Sequence, residues 1–279
     1  MRLGAGPIIV PDMDRRMGSN INGPSLIRVP DWVPGPLGRY YLYFADHNGS
    51  YISLAVTDRI EGRWRTHEPG VLDLGESGGF IDHIASPEIF IDEGQQEIRL
   101  YFHGPVSRGD DGEFIQKTRV ALSRDGLAFE VRPDLLGPSY FRVFERDGAF
   151  FALARSGELL RSGDGLAPFE SAGMPVVLPD GIRHVGLWRR SAERMKVFYT
   201  VIGDAPESIW SADLVLAGDW RGWKAQSPRM HLQPEHAYEG ADQPVMPSER
   251  GAINVPANQL RDPDILVDAD GAVYLAYVV

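Results

Sequence analysis

One unit recurs five times along this chain, and that recurrence limits the fold more than any other property of the sequence. Each copy opens on a small or polar residue, usually followed by proline, and runs into a short apolar strand. A turn, an aromatic-rich second strand, a third strand and a Ser/Thr-Asp turn follow. The first copy reads Gly23-Pro24-Ser25-Leu26-Ile27, then Tyr40–Phe44, then Ile52–Val56. The second reads Ser86-Pro87-Glu88-Ile89-Phe90, Ile98–Phe102 and Thr118–Leu122. The third opens at Gly137-Pro138-Ser139-Tyr140-Phe141 and continues through Ala149–Leu153. The fourth lacks the proline and begins His184-Val185-Gly186-Leu187-Trp188. The fifth begins Asp262-Pro263-Asp264-Ile265-Leu266-Val267 and ends with its second strand, Ala272–Tyr277. No window sustains a helical period. Short strands in a repeated set, with 31 glycines and 21 prolines spread between them, predict an all-β protein, a five-bladed β-propeller. A β-sandwich is the alternative, but sandwiches do not repeat a whole unit. The expected organisation is one domain over residues 1–279. Two expectations stand for the fifth blade: completion by Pro7-Ile8-Ile9-Val10, which would close the ring, or a native chain that continues past Val279.

Charge and residue usage exclude several classes. The formal net charge is −11, which opposes a uniformly basic nucleic-acid binder and contact with an anionic membrane. No cysteine is present, so disulfides, thiolate metal sites and cysteine nucleophiles are excluded. Residues 1–18 hold no apolar core of signal-peptide length, and no run approaches the roughly 20 apolar residues of a membrane helix. The expectation is a soluble, cytoplasmic protein with neither a nucleic-acid nor a membrane partner. P-loop, GxSxG and dinucleotide fingerprints are absent.

The run Arg261-Asp262-Pro263-Asp264-Ile265-Leu266-Val267 with Gly271–Tyr277 resembles the start of a blade in the five-bladed glycoside hydrolases, the family 43 arabinanase/xylosidase type and its relatives. The Ser-x-Asp-Gly turns and Ala85-Ser86-Pro87-Glu88 carry the same likeness. The resemblance implies a carbohydrate substrate or ligand, held where the inner strands begin. It implies an Asp as general base, a second Asp tuning pKa and a Glu as general acid, each from a different blade. An axial calcium ion with mostly water ligands is implied in the same way. The chain departs from the pattern at Leu136-Gly137-Pro138, where the family has a Glu-Gly-Pro run.

Hydrolysis of a glycosidic bond needs one carboxyl group kept protonated and one ionised. Asp262 is the candidate base, with Asp264 expected on the same face two residues on. Glu88, on an inner strand before Ile89-Phe90, is the candidate acid. Asp82 is its tuning partner or substitute, and Glu239, on the long loop before the fifth copy, is a second acid candidate. His47, His83, His103 and His184 lie near strand ends, suited to proton transfer or hydrogen bonding. Their spacing matches no zinc motif, and no metal ligand is assigned. Arg183 and Arg261 are candidates to grip a sugar carboxylate, or else to pair with acidic side chains. Asn22 is a candidate to bond sugar hydroxyls, and Tyr140 and Trp188 to stack on sugar rings. Two other readings stand beside a hydrolase: a non-catalytic carbohydrate-binding propeller, and a lyase acting on uronate-containing glycans.

Overall fold

A computed structural model describes residues 1–173, 177–178 and 180–279. Two compact units divide the chain, Met1–Phe141 with Leu166–Pro168, and Arg142–Gly165 with Phe169–Val279. Among the described residues, no helix is long and apolar enough to cross a membrane.

The first unit holds two antiparallel four-stranded sheets. One is β1 (Ile21–Arg28), β2 (Tyr40–Asp46), β3 (Tyr51–Thr57) and β4 (Arg65–Asp73), in that spatial order. The other is β5 (Ala85–Asp92), β6 (Glu97–Arg108), β7 (Phe114–Ser123) and β8 (Glu130–Val131). The second unit holds β9 (Arg142–Arg146), β10 (Ala149–Leu153), β11 (Leu159–Ser162) and β12 (Glu170–Ser171), then β13 (Ile182–Arg189), β14 (Arg194–Val201), β15 (Ile209–Val215) and β16 (Ala225–Leu232). A two-stranded sheet, β17 (Arg261–Val267) and β18 (Val273–Val278), ends the chain.

The expected five blades are therefore corrected to four. The fifth repeat forms only the β17–β18 hairpin, and residues 7–10, proposed above to complete it, form no strand. The third repeat also needs correcting. Gly137 is bridged to Thr118 of β7, so Gly137-Pro138 belongs to the edge of the second sheet. The third inner strand starts later, at Arg142.

Each unit has its own core. In the first, Tyr41, Tyr43, Ile52, Leu54, Ile98 and Leu100 are fully buried between the two sheets. The Tyr43 hydroxyl keeps its polar tip satisfied by donating to the Gly126 carbonyl at 2.9 Å. In the second, Leu153, Val197, Leu214 and Leu216 are the innermost members. The recurring Ser-x-Asp-Gly turns have a plain cause. In the second sheet Asp125 accepts from the Leu127 and Ala128 amides, and Ser123 Oγ accepts from Gly126. Burial pushes the Asp125 carboxyl upward, but these amide bonds and Ser123 hold it below its usual range.

The small-residue–proline motif marks a bulge. Register shifts interrupt β1 between Asn22 and Ser25, β5 between Ala85 and Glu88, β13 between Ile182 and Val185, and β17 between Arg261 and Asp264. In three of these the extra residue is left-handed: Gly23 at φ +59, Ser86 at +46 and Asp262 at +49. The proline that follows has no N–H to donate, and at a break in the ladder it need not supply one.

Candidate functional site

The second unit brings its chemistry together where β13 and β17 begin. β17 lies so close to β13 that a Cβ on Gly186 would stand 2.7 Å from the Pro263 carbonyl oxygen. That approach sets Asp262, 2 % exposed, against His184. The Asp262 carboxylate lies against His184 Nδ1. Burial pushes the His184 pKa below its ordinary value, and the Asp262 charge only partly restores it. The imidazole is therefore held neutral near pH 7, with Nδ1 turned to the carboxylate. Asp264 is also buried, but the bulge falls between the two aspartates, so the alternation expected to pair them on one face does not carry across it.

Behind this pair lies a buried ionic cluster. Glu207, fully buried, faces Arg183 Nε at 3.3 Å and Arg261 Nε at 3.0 Å. Both guanidinium groups donate to the Gly251 carbonyl, at 3.1 and 3.3 Å, and Arg261 also reaches Gln259 Oε1. Burial lowers the Arg261 pKa, while Glu207 opposes the shift. These arginines thus satisfy a carboxylate of the protein itself. Glu239 is likewise engaged: its carboxylate accepts from the Glu235 and His236 amides at 2.8 and 3.1 Å and from the Tyr277 hydroxyl at 2.5 Å. It closes a short 3-10 turn and is fully buried. Trp188, like Ile265, Leu275 and Tyr277, packs against the buried Phe198, Ile209 and Leu260 cluster.

In the first unit the other candidates gather where β1 and β5 begin. Asn22 Nδ2 lies 3.1 Å from His47 Nδ1. Asp82, left-handed at φ +73, holds His83 Nδ1 at 2.9 Å. The Ile84 amide donates to the Gly49 carbonyl, joining the loops that carry His83 and His47. His103 stands opposite Ala85, and its ring lies 4.3 Å from that of Tyr140. Glu88 is buried on β5 opposite Tyr101, and the adjacent Ile89 amide donates to Ser25 Oγ on β1.

Among the described residues no three His, Asp or Glu side chains stand together as a metal-ligand set. The calcium ion rests on the resemblance alone. Glu207 and Gln259 were not singled out from the sequence. The available signal was indirect, since two arginines beside inner-strand starts in an acidic protein call for a buried counter-charge.

Comparison with known proteins places this architecture. No family model matches the chain. A thermostable family-43 glycoside hydrolase superposes with a TM-score of 0.63 at 14% identity, covering 92% of this chain and 83% of that one. An N-acetylgalactosamine deacetylase from F. plautii, in complex with blood group B trisaccharide, superposes with a TM-score of 0.61 at 11% identity, covering 95% and 81%. At these identities the likeness is one of fold, and it defines the class: an all-β propeller. The chain is also 35% identical over 291 residues to the uncharacterized protein R118 of Acanthamoeba polyphaga mimivirus, covering 93% of this chain and 80% of that protein. It belongs to the same family as R118.

Proposed function

We propose that the chain is a carbohydrate-acting hydrolase in which Asp262 and His184 work as one acid–base unit on a glycosidic bond. The observation that carries the reading is the buried Asp262–His184 contact at a left-handed, non-glycine bulge residue. Such backbone strain, of order 1–3 kcal/mol, persists where the surroundings enforce it and clusters at working sites. With Nδ1 committed to Asp262, Nε2 is the remaining basic atom of a neutral imidazole. In hydrolysis it takes a proton from the attacking water, and the Asp262 carboxylate stabilises the imidazolium that results. The sugar leaving group requires a proton from a second group. Solved propellers of this fold that act on carbohydrate support a glycan substrate.

The test is release of the aryl group from aryl glycosides by the wild type and by Asp262→Asn, which keeps the side-chain shape. Turnover is expected to fall on the order of 10³-fold, within the range of acid–base contributions. Unchanged turnover refutes the assignment.

A binding-only reading is favoured by one feature. The Glu-Gly-Pro run of the resembled family is matched in sequence by Leu136-Gly137-Pro138, which has no carboxylate at Leu136, a residue 1 % exposed at the edge of the second sheet. Under that reading oligosaccharide binds with no product formed, and calorimetry alongside product analysis separates the two. For the lyase reading, Arg183 and Arg261 are held by Glu207, and the base is left to a His or Tyr side chain.

A further inference from the structure

One face of the β13–β16 sheet carries a cluster of cations that the proposed chemistry does not use. The inner part of this face packs on the β17–β18 hairpin through Phe198, Ile209, Trp188, Ile265 and Leu275. Farther out, the cross-strand row Trp188, Lys196, Asp213 and Gln226 runs from β13 to β16, and Ser211 opposite Arg229 forms part of the next row. Lys196 is buried, with its ammonium 2.7 Å from Asp213 Oδ1. That hydrogen bond holds the Asp213 carboxyl below its usual range against slight burial, and Arg229 and Arg190 add to the effect. The Arg190 guanidinium lies over the Trp188 ring at 4.1 Å, and the exposed His231 ring lies 4.8 Å from that of Phe198. His231 is also within electrostatic reach of Arg229 and Lys196.

The charge count is uneven. Three cations, Lys196, Arg190 and Arg229, lie within electrostatic reach of Asp213, which Lys196 already engages. Among the described residues, neither the Arg190 nor the Arg229 guanidinium makes a hydrogen bond or a close ion pair with a carboxylate. Both side chains are exposed. In a chain of net charge −11, a surplus of cations on one sheet face is a local reversal of sign, and such a patch concentrates anions. Guanidinium groups suit oxyanions with two or more acceptor oxygens.

We propose that this outer face binds a glycan bearing sulfate or carboxylate groups, with Arg190 and Arg229 as the anion-gripping residues, Trp188 holding Arg190 in place and Lys196 keeping Asp213 from neutralising them. The glycan part of the proposal rests on the reading of the chain as carbohydrate-acting, whereas the anion part rests on the cluster itself.

The experiment is calorimetric binding of a sulfated oligosaccharide and of its desulfated parent of equal length, at low and moderate salt. The sulfated ligand is expected to bind about 10-fold tighter or more, consistent with hydrogen bonds to charged groups, and to lose that advantage as salt rises. The double variant Arg190→Ala/Arg229→Ala, changed only at exposed positions, removes the advantage, and Asp262→Asn leaves it intact. Equal affinity for the two ligands, no affinity for either, or an advantage that survives loss of both arginines overturns the proposal. Full competition by a polyglutamate peptide of matched charge also overturns it, and marks the face as a protein-binding surface. Binding of the sulfated ligand with no binding of the parent sustains the patch and counts instead against the hydrolase reading.

Discussion

Three inner strands open on a left-handed residue followed by proline, yet they carry glycine, serine and aspartate there. At Gly23 the reason is space: an added Cβ would stand 2.6 Å from the Cα of Ser86. At Ser86 the residue is small and buried beside that same backbone. At Asp262 a long, charged side chain occupies the strained position and is matched to a histidine from the neighbouring strand. The bulge is thus a property of the fold, and the aspartate is an addition to it. A non-glycine residue in this conformation costs about 1 kcal/mol or more, and only at Asp262 does the side chain bring a titratable group in exchange.

This contrast can be broken or sharpened by exchange of the bulge residues. The largest effect is expected for Asp262→Ser, which installs the residue of the second sheet. Turnover falls on the order of 10³-fold while circular dichroism stays that of the wild type; a matched loss of folded signal would make the position structural. Next comes Gly23→Ala, expected to cost about 3 kcal/mol in chemical denaturation, from the left-handed backbone and the clash with main chain together. Acidification follows. His184 has its pKa lowered by folding, so below the ordinary value of 6.5 the unfolded chain takes up a proton that the folded chain resists. Stability is then full above that pH and declines as pH falls toward the depressed folded value, by up to ~1.4 kcal/mol per pH unit. Thermal melts of wild type and His184→Gln on either side of that pH check this, and the variant lacks this component of the slope. The smallest effect is expected for Ser86→Gly, within ~1 kcal/mol of the wild type, because relief of strain offsets the added freedom of the unfolded chain.

Most strands were legible in the sequence because their alternation and turn residues are local. β2, β6, β14 and β17 fall where the aromatic-rich or proline-led runs were read. β8 and β12, two residues each, carry no periodicity to detect. The third sheet was misplaced because Gly137-Pro138 matches the motif, while its main chain is held by Thr118 across a loop. Of the site, Asp262 and His184 were each visible as strand-start residues. Their contact was not, since it depends on how closely Gly186 lets β17 approach. Arg183 and Arg261 were legible as candidates either to grip a sugar carboxylate or to pair with acidic side chains, and they pair with Glu207, which sits in a loop whose local pattern says nothing of burial.

Glu207 also bears on how the molecule comes apart. A two-stranded hairpin has little stability of its own, and β17–β18 would be expected to peel away first. Its arginine, however, shares the buried Glu207 carboxylate with an arginine of β13. Detaching the hairpin breaks the Arg261–Glu207 half of this buried cluster, and loss of one partner of a buried ion pair costs roughly 3–5 kcal/mol. The amide protons of β17 should therefore exchange with solvent in step with those of β13, so that this two-stranded sheet opens together with its neighbour and does not fray.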